Sequence, residues 1–420
     1  MNTAERNLIA ARLLMKVYGG AYSSIELNRT LSQLSDERDR AYVSRMFYGV
    51  LSKNTQLDYI LGRLTERKPK LAATVVIKMG IYMLRFMDAP DYAVLNTQVE
   101  LIKRLGKKEL SGFVNAVLRR SADVILPISA KDAVFEISVN YSCPEWIVDR
   151  LISQYGEAFT RDFLSSRLPE KTHVRVNEDK INKENFIALT GGDGSPCGVY
   201  SDYAALKKLP ANFYAVQSLS SVLAAEYYSA GLKKGDKTLD LCAAPGGKAV
   251  YLAQLGADVT ACDIHPHRVK LIESYAKRMG VKLKAEVSDA LKYRSDFSEK
   301  FNCVVCDVPC SGIGVMFSKP DVIINRKEGD VGALSALQYS ILTTAAAYVA
   351  DGGQLNYSTC TVFKEENEDI INRFLNENSN FTLEKAACAH VSADGDGFVR
   401  LFPKTHNCDG FFVAKLRRVK

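Results

Sequence analysis

Two short segments in the last third of the chain combine cysteine with residues that suit covalent chemistry. The first is "DVPCSG", with Asp307 and Cys310, and the second is "YSTCT", with Cys360. A thiolate is a strong nucleophile, and a neighbouring carboxyl group can move a proton or stabilise charge. Each segment follows an apolar run that predicts a strand, so both thiols could lie in one cleft. A disulfide between them is the alternative, which a reducing cytoplasm disfavours.

Two further cysteines, Cys303 and Cys306, lie just before Asp307 and Cys310 in "FNCVVCDVP", residues 301–309. A C-x-x-C spacing can bind zinc or support redox chemistry. Here it falls on an apolar strand, where residues three apart point to opposite faces of the sheet. No second C-x-x-C and no histidine pair accompanies it in the sequence. We therefore expect core packing, as for Cys242 and Cys262, and no metal site.

A third segment, "DLCAAPGGK", has the composition of a nucleotide-binding turn, because glycines allow a tight turn and small side chains let a ligand approach the main chain. Acidic residues lie at the carboxyl ends of four successive predicted strands: Asp240, Asp263, Asp289 and Asp307. Asp263 is spaced from Asp240 as a carboxylate that binds ribose hydroxyls. A dinucleotide would instead need G-x-G-x-x-G, which this turn lacks, and the carboxylates would repel its pyrophosphate. The pattern favours a cationic nucleoside such as S-adenosylmethionine, and hence methyl transfer.

Methyl transfer to a pyrimidine carbon has a particular need for thiols. Carbon-5 is barely nucleophilic, but addition of a thiolate to carbon-6 converts the ring into an enamine-like nucleophile. After the methyl group arrives, the carbon-5 proton must leave and the thiolate must be expelled. Two cysteines and an aspartate beside a nucleoside pocket meet these needs.

From about residue 215 the hydrophobic pattern alternates between short strands and amphipathic helices. Such alternation over roughly 200 residues predicts an α/β fold with a parallel, doubly wound sheet. The chain closes with a predicted β-hairpin in "GFVRLFP" and "GFFVAKLRR", which adds an antiparallel edge. The preceding strands are predicted at 237–244, 258–264, 283–290, 301–309 and 352–360.

Residues 4–125 show helical periodicity and almost no strand pattern, which predicts a helical bundle. A single basic cluster is most often a solvated surface, whereas two on one small domain favour a surface for phosphates. The two clusters are Arg63, Arg67, Lys68 and Lys70, then Lys103, Arg104, Lys107, Lys108, Arg119 and Arg120. The predicted domains are a helical domain at 1–125, a linker with a small α/β subdomain at 126–212 and the α/β domain at 213–420.

The bulk composition agrees with a globular protein of more than one domain. The 420 residues are 47% hydrophobic and 25% charged, and the net charge of +7 permits a polyanionic partner without requiring one. No window approaches the roughly 18 uninterrupted apolar residues of a membrane span. Ten cysteines without dense spacing indicate reduced thiols, so we expect a cytoplasmic protein.

Together, "DLCAAPGGK", "DVPCSGIG" and "STC" followed by "EENE" resemble the motifs of the RNA cytosine-C5 methyltransferases, the family also called NOL1/NOP2/Sun. The helical N-terminal segment resembles the NusB-like RNA-binding domain, so the bacterial Sun/RsmB type is the nearest match. The resemblance covers essentially the whole chain. It implies a Rossmann-like class I methyltransferase domain behind a NusB-like bundle, S-adenosylmethionine as cofactor and small-subunit (16S) ribosomal RNA as partner. We also expect a monomer with no membrane or DNA partner.

The resemblance also implies roles for individual residues. Cys360 matches the nucleophile that attacks carbon-6, and Cys310 matches the cysteine that assists proton removal and product release. Asp307 matches the acid that contacts the base and the methionine end of the cofactor, and Lys248 is expected to organise it. The remaining cofactor-binding positions are Cys242, Ala243, Ala244, Pro245, Gly246, Gly247, Lys248, Asp263 on the ribose and Asp289 near the adenine.

Three positions depart from the family pattern: Cys143 where histidine is common, Ser218 where aspartate is frequent and Ile324 where tryptophan is common. None coincides with the two cysteines. The alternatives left open are the same reaction on transfer RNA and a non-catalytic RNA-binding factor in ribosome assembly. DNA cytosine methylation ranks lower, because it uses the "PC" cysteine and leaves "STC" unexplained.

Overall fold

The computed structural model describes residues 1–21, 23–87 and 89–419. The chain divides into two units, of which the first holds residues 1–165 and 316–328 and the second holds residues 166–315 and 329–420. The domain boundaries predicted after residues 125 and 212 stay predictions.

The helices in the described part of the chain are α1 (Thr3–Tyr18), α2 (Ser23–Leu31), α3 (Glu37–Ser52), α4 (Asn54–Leu64), α5 (Leu71–Phe86), α6 (Asp91–Arg104), α7 (Ser111–Arg120), α8 (Ala133–Tyr141), α9 (Glu145–Tyr155), α10 (Glu157–Leu164), α11 (Lys183–Thr190), α12 (Tyr203–Leu206), α13 (Leu219–Ser229), α14 (Gly247–Gln254), α15 (Pro266–Met279), α16 (Val322–Asn325), α17 (Asp330–Ala346), α18 (Glu368–Glu377) and α19 (Pro403–His406). None of them is long and apolar enough to cross a membrane.

The strands are β1 (Thr172–Val176), β2 (Asp193–Ser195), β3 (Gly198–Ser201), β4 (Tyr214–Val216), β5 (Lys237–Asp240), β6 (Asp258–Asp263), β7 (Lys284–Val287), β8 (Phe301–Asp307), β9 (Val349–Thr359), β10 (Phe381–Leu383), β11 (Val399–Leu401) and β12 (Phe411–Arg418). They form two sheets, both in the second unit.

Helices are the regular secondary structure of the first unit in its described residues, as the periodicity of residues 4–125 predicts. Its core is built from the apolar faces of α1, α3, α4, α5, α6 and α7, with Leu14, Phe47, Val76 and Ile102 fully buried. Helix α2 was not predicted from the sequence. The helical periodicity runs on through residues 94–121, but the structure divides this run into α6 and α7, because Gly106 takes a φ of +74° and its N–H closes α6 on the Lys103 carbonyl.

Residues 316–328 also pack within the first unit, although they follow β8 in the chain. The rings of Phe317 and Phe163 lie 5.4 Å apart, and Ile324 packs against the helical core. The Asp321 carboxylate accepts the Ser23 N–H at 3.3 Å. Ile324 therefore takes a packing position in this structure.

The smaller sheet of the second unit has the order β2-β3-β1-β4 and is antiparallel throughout. Strand β1 carries Arg175, which is buried and donates to Gln217 and Gln254. Asn177 follows β1 and donates to the carbonyls of Asn212 and Met279. These contacts connect the smaller sheet to α14 and α15.

The larger sheet confirms the predicted doubly wound α/β fold. Its strand order is β10-β12-β9-β8-β5-β6-β7, with β11 paired to β12. Strands β5 to β9 are parallel, and β12 runs antiparallel to β9. The predicted terminal hairpin is the β11–β12 pair, but the outermost strand on that side is β10, which the sequence pattern did not predict.

Candidate functional site

The larger sheet changes its winding direction between β5 and β8, which lie side by side. Ligands of doubly wound sheets bind beyond the carboxyl ends of the strands at such a point. Strand β5 ends at Asp240 and β8 ends at Asp307. The sheet thus places two of the four predicted acids at its switch point.

The turn after β5 is shaped by close backbone contacts. Gly246 has a φ of +109°, and a side chain there would meet the Cα atom of Ile272 at 3.3 Å. The Ala243 N–H donates to the Cys262 carbonyl at 2.8 Å, which ties the turn to the end of β6. Helix α14 then begins at Gly247. This geometry explains why the segment needs glycine and small residues.

A cavity of about 370 Å³ opens beside this turn. Its lining includes the carboxylates of Asp263, Asp289 and Asp307 together with apolar side chains such as Leu241 and Ile341. Mixed apolar walls and carboxylates suit a ligand with an aromatic base, ribose hydroxyls and positive charge, and they oppose a polyphosphate. The cavity therefore fits S-adenosylmethionine.

Two of these carboxylates are held by local contacts. Asp263 accepts the His265 N–H at 3.0 Å and lies 3.2 Å from the Arg268 guanidinium. Asp289 accepts the Leu291 N–H at 3.0 Å. Because the backbone amides fix both side chains, each carboxylate keeps one oxygen atom outside its amide contact.

Asp240, the last residue of β5, is buried. Burial, and next the charge of Asp307, raise the pKa of Asp240 to about 7, although nearby Lys248 opposes this effect. Its Oδ1 atom has no hydrogen-bond partner among the described residues. Asp240 is thus a buried acid close to both Asp307 and Lys248.

Asp307 is the centre of a hydrogen-bond chain. Lys248 Nζ donates to its Oδ2 atom at 2.6 Å, and Ser358 Oγ donates to its Oδ1 atom at 2.8 Å. The Tyr228 hydroxyl donates in turn to Ser358. Strand register explains one contact, because Asp307 and Ser358 are direct partners on β8 and β9. The predicted Lys248–Asp307 pairing is present in the structure.

Tyr228 and Ser358 were missed by sequence reasoning. A usable signal existed for Ser358, because it lies two residues before Cys360 and side chains two apart on a strand share a face. Tyr228 carries no such signal, since it lies on α13, between β4 and β5 in sequence, and follows none of the predicted strand ends.

The two predicted active-site cysteines lie together. Their Sγ atoms are 3.2 Å apart, at the ends of the neighbouring parallel strands β8 and β9. Cys310 is buried, whereas Cys360 is partly exposed. The hydrogen bond with Cys360, followed by burial, raises the pKa of the Cys310 thiol well above its usual range.

Backbone contacts hold the two cysteine-bearing segments in this position. The Gly314 N–H donates to the Cys360 carbonyl at 3.0 Å, and the Gly410 N–H donates to the Gly314 carbonyl at 2.8 Å. Ser311 Oγ and Thr361 Oγ1 are 2.8 Å apart. The segments therefore meet along their main chains as well as at their thiols.

Residues 365–368, "EENE", form hydrogen bonds with the segments that carry Cys310 and Cys360. Glu366 is buried and accepts the Ser311 N–H and the Gln338 amide, each at 2.8 Å. Asn367 donates to the Thr361 carbonyl at 3.1 Å and accepts from Thr359 at 2.5 Å. This motif thus positions the loops that carry Cys310 and Cys360.

The other strand cysteines pack as predicted. Cys303 and Cys306 are fully buried in different hydrophobic clusters on the two faces of the sheet. Cys262 is also buried, and Cys242 lies at the cavity wall. The departures Cys143 and Ser218 have local structural roles, because Cys143 is fully buried and Ser218 caps α13.

Of the predicted site residues, Cys242, Ala244, Asp263, Asp289 and Asp307 line the cavity. Cys310 and Cys360 lie beyond Pro309, which also borders it. Lys248 is not among the residues that line the cavity, but its ammonium group donates to Asp307, which is. The catalytic and binding roles assigned to these residues stay predictions.

Comparisons with known families and proteins cover both units. A model of the family described as 16S rRNA methyltransferase RsmB/F matches residues 229–417, and a model of the NusB family matches residues 4–123. A protein named probable ribosomal RNA small subunit methyltransferase B, from Bacillus subtilis, is 32% identical over 446 residues and matches 99% of each chain. Ribosomal RNA small subunit methyltransferase B of Escherichia coli O127:H6 is 29% identical, over 98% of this chain and 99% of its own.

Solved structures share the fold. The crystal structure of PH0851 aligns with a TM-score of 0.83 and 24% identity, over 98% of this chain and 99% of its own. NSun6 from Pyrococcus horikoshii, solved with SFG, aligns with a TM-score of 0.58 and 22% identity, over 66% of this chain and 98% of its own.

Proposed function

Because the chain belongs to the RsmB/F family of 16S rRNA methyltransferases, we propose that it methylates carbon-5 of a cytosine in small-subunit ribosomal RNA through a covalent bond to Cys360. The enzyme is a methyltransferase, and its methyl donor is S-adenosylmethionine. The observation that carries the proposal is the 3.2 Å separation of the Cys310 and Cys360 Sγ atoms beside Asp307. Nitrogen or oxygen methylation would need no such pair of thiols.

The residues around the cavity hold the cofactor in this proposal. Asp263 accepts the ribose hydroxyls, Asp289 lies near the adenine, and Asp307 faces the methionine end. The turn at 242–248 supplies the close main-chain approach. When bound, S-adenosylmethionine supplies an electrophilic methyl group.

Cys360 is the better nucleophile of the two, because it is partly exposed while Cys310 is buried. Its thiol loses a proton to solvent and the resulting thiolate forms a bond to carbon-6 of the cytosine, so that the carbon-5–carbon-6 π electrons shift into the ring and make carbon-5 nucleophilic. Asp307 is held by Lys248 and Ser358 and lies three residues before Cys310. It stabilises the charge that develops at N3 of the base. The target base must leave its stack to reach the thiol.

Cys310 acts in the second half of the reaction. The pKa of its thiol is raised first by the hydrogen bond with Cys360. Once the Cys360 sulfur is bound to carbon-6, that cause is removed, and Cys310 ionises more easily by releasing its proton to solvent. It then accepts the carbon-5 proton, the carbon-5–carbon-6 double bond re-forms, and the Cys360 thiolate leaves.

Substrate contacts extend to the first unit. The ten basic residues of the two clusters predicted from the sequence are all exposed in the structure. Exposed Lys and Arg side chains bind RNA phosphates without reading sequence. We assign these clusters to ribosomal RNA binding and keep the cytoplasm as the proposed location, as the ten free cysteines suggest.

The test uses a short cytosine-containing fragment of small-subunit ribosomal RNA with labelled S-adenosylmethionine. Cys360→Ala should abolish methylation, whereas Cys310→Ala should form the carbon-6 bond and fail to resolve it. A protein–RNA adduct that survives denaturing electrophoresis should therefore accumulate in Cys310→Ala and be missing from the double variant.

Two outcomes would contradict the proposal. Full activity of Cys360→Ala would remove it as the nucleophile, and an adduct that forms equally in the double variant would place the bond elsewhere. Cys306→Ala is the matched control, because this buried thiol lies on the same strand as Cys310's segment but takes no part in the reaction. Mapping of 5-methylcytosine with and without the gene distinguishes ribosomal from transfer RNA as the substrate.

A further inference from the structure

Three side chains that could bind a metal meet in the second unit, away from the proposed active site. Cys197 lies between β2 and β3, Glu226 lies on α13, and His390 lies between β10 and β11. The Cys197 Sγ is 2.8 Å from Glu226 Oε2 and 3.3 Å from His390 Nδ1. His390 Nδ1 is 3.0 Å from the same Glu226 oxygen. One possible ligand atom from each residue therefore lies within 3.3 Å of the other two.

The chemistry of these ligand atoms matches a borderline divalent cation. Thiolate, imidazole and carboxylate are the three ligand types that bind Zn²⁺ in proteins. Tetrahedral coordination with the usual zinc bond lengths separates ligand atoms by about 3.3–3.6 Å. The observed separations of 2.8–3.3 Å would have to widen by up to about 0.7 Å, most of it between Cys197 Sγ and Glu226 Oε2, which small side-chain rotations of these residues and of the exposed His390 supply.

We propose that Cys197, Glu226 and His390 form a three-ligand site for Zn²⁺. The fourth position faces a cavity of about 420 Å³ and is open to a water molecule. On binding, the Cys197 thiol loses one proton to solvent, and the thiolate and carboxylate together balance the 2+ charge of the ion. Sequence spacing could not predict this site, since its ligands come from three distant segments.

The surroundings support binding at this place. Glu226 Oε1 accepts the His390 N–H at 3.1 Å, so the main chain already holds the histidine segment against the helix. The Cys388 thiol donates to the Glu226 carbonyl at 3.5 Å and fixes the same segment. Lys183 is a cation that lines the same cavity, and its ammonium group donates to the Ser195 carbonyl at 2.6 Å. A bound ion would connect the smaller sheet, α13 and the segment before β11.

Cobalt titration of the full chain tests the proposal. The Cys310→Ser/Cys360→Ser variant is the starting protein, because it removes the two adjacent active-site thiols, which could themselves bind cobalt. Titration with Co²⁺ under reducing conditions should give about one equivalent of bound ion with a thiolate-to-cobalt absorption band, together with release of about one proton, and Zn²⁺ should displace the cobalt.

Variants separate a metal site from a simple hydrogen-bonded cluster. Cys197→Ser should remove the thiolate band, and His390→Ala and Glu226→Gln should each weaken cobalt binding at least about 10-fold. His267→Ala, which alters an exposed histidine outside the site, is the control and should bind as the starting protein does. Circular dichroism identifies any variant that fails to fold. Absence of stoichiometric binding, or an unchanged band in Cys197→Ser, would overturn the proposal.

Discussion

A chain of three hydrogen-bond donors holds Asp307, and each donor comes from a different part of the second unit. Lys248 lies on α14, Ser358 on β9, and Tyr228 on α13 acts through Ser358. A carboxylate with charged and hydroxyl donors on both oxygens is held in one orientation before any ligand arrives. In the proposed reaction, this fixes the acid relative to the thiols and avoids reorganisation during the chemical step.

The buried Asp240 predicts a measurable pH dependence. Its pKa rises from an ordinary 3.8 to about 7 on folding, so the folded state binds more protons than the unfolded state between these pH values. The contribution of Asp240 to the free energy of unfolding is therefore highest below pH ~4 and falls by up to about 1.4 kcal/mol per pH unit as the pH rises to ~7.

Asp240→Asn removes this titration while keeping a neutral group of the same shape. The difference in unfolding free energy, variant minus wild type, should rise from pH ~4 to pH ~7 and then level off. Urea denaturation at a series of pH values measures it, with Asp258→Asn on the exposed start of β6 as the matched control. Parallel pH profiles for wild type and Asp240→Asn would show that Asp240 does not titrate in this window.

At the residue scale, the sequence predicts a site when the relevant residues follow strand ends. Asp263, Asp289 and Asp307 were found this way, because parallel strands end at one edge of the sheet. Tyr228 and the cluster of Cys197, Glu226 and His390 could not be found, since helix packing and long-range loop contacts bring them into place. Such long-range contacts produce no residue spacing or motif that can be recognised in the sequence.

At the scale of elements, the pairing of β8 with β9 determines the position of both cysteines. The following segments cross closely at Gly314, where an added Cβ atom would lie 2.2 Å from the Gly410 carbonyl oxygen and 2.8 Å from the Cys360 carbonyl oxygen. No side chain can be accommodated there without moving one of the segments. The glycine thus permits the thiols to approach.

Gly314→Ala should separate the cysteine-bearing segments. We expect kcat to fall about 100-fold, because a displacement of about 1 Å at a reacting group has this effect. Stability should fall by about 1–3 kcal/mol through overpacking. Methyl-transfer kinetics and urea denaturation provide the two readouts.

Gly332→Ala is the matched control, because the space around this α17 glycine is open and its φ is ordinary. This change should leave kcat unchanged and alter stability by no more than about 1 kcal/mol, in the stabilising direction. Wild-type kcat in Gly314→Ala would contradict the role given to the close crossing.

Periodicity predicted the existence of most elements but not their limits. The run from Asp39 to Leu64 looks like one continuous helix, yet the backbone leaves helical geometry at Lys53 and starts again as α4. Strand β10 was missed because three residues are too few for a recognisable alternation. Tertiary packing decides such details, whereas long amphipathic helices and apolar strands are decided locally.

At the scale of the whole molecule, exposed basic residues of the first unit predict how RNA affinity depends on salt. Lys107→Glu/Lys108→Glu should weaken RNA binding and reduce the slope of log affinity against log salt by about 1–2, since two phosphate contacts are lost. Affinity for S-adenosylmethionine should stay unchanged, because the cavity lies wholly in the second unit.

Lys207→Glu/Lys208→Glu is the control with the same change of charge on an exposed pair in the second unit. Filter binding at several salt concentrations measures both variants. Equal effects of the two pairs would mean that RNA binding responds only to net charge and not to a surface of the first unit.

The path of residues 316–328 has a consequence for any attempt to cut the protein apart. The chain passes between the units at three places, after residues 165, 315 and 328. A protease that cleaves only at the first of these leaves a fragment that still carries Phe317, Asp321 and Ile324, which pack among the N-terminal helices. The two fragments are therefore expected to co-purify after nicking. Gene fusions that exchange the N-terminal 165 residues alone would leave this inserted segment without its packing partners.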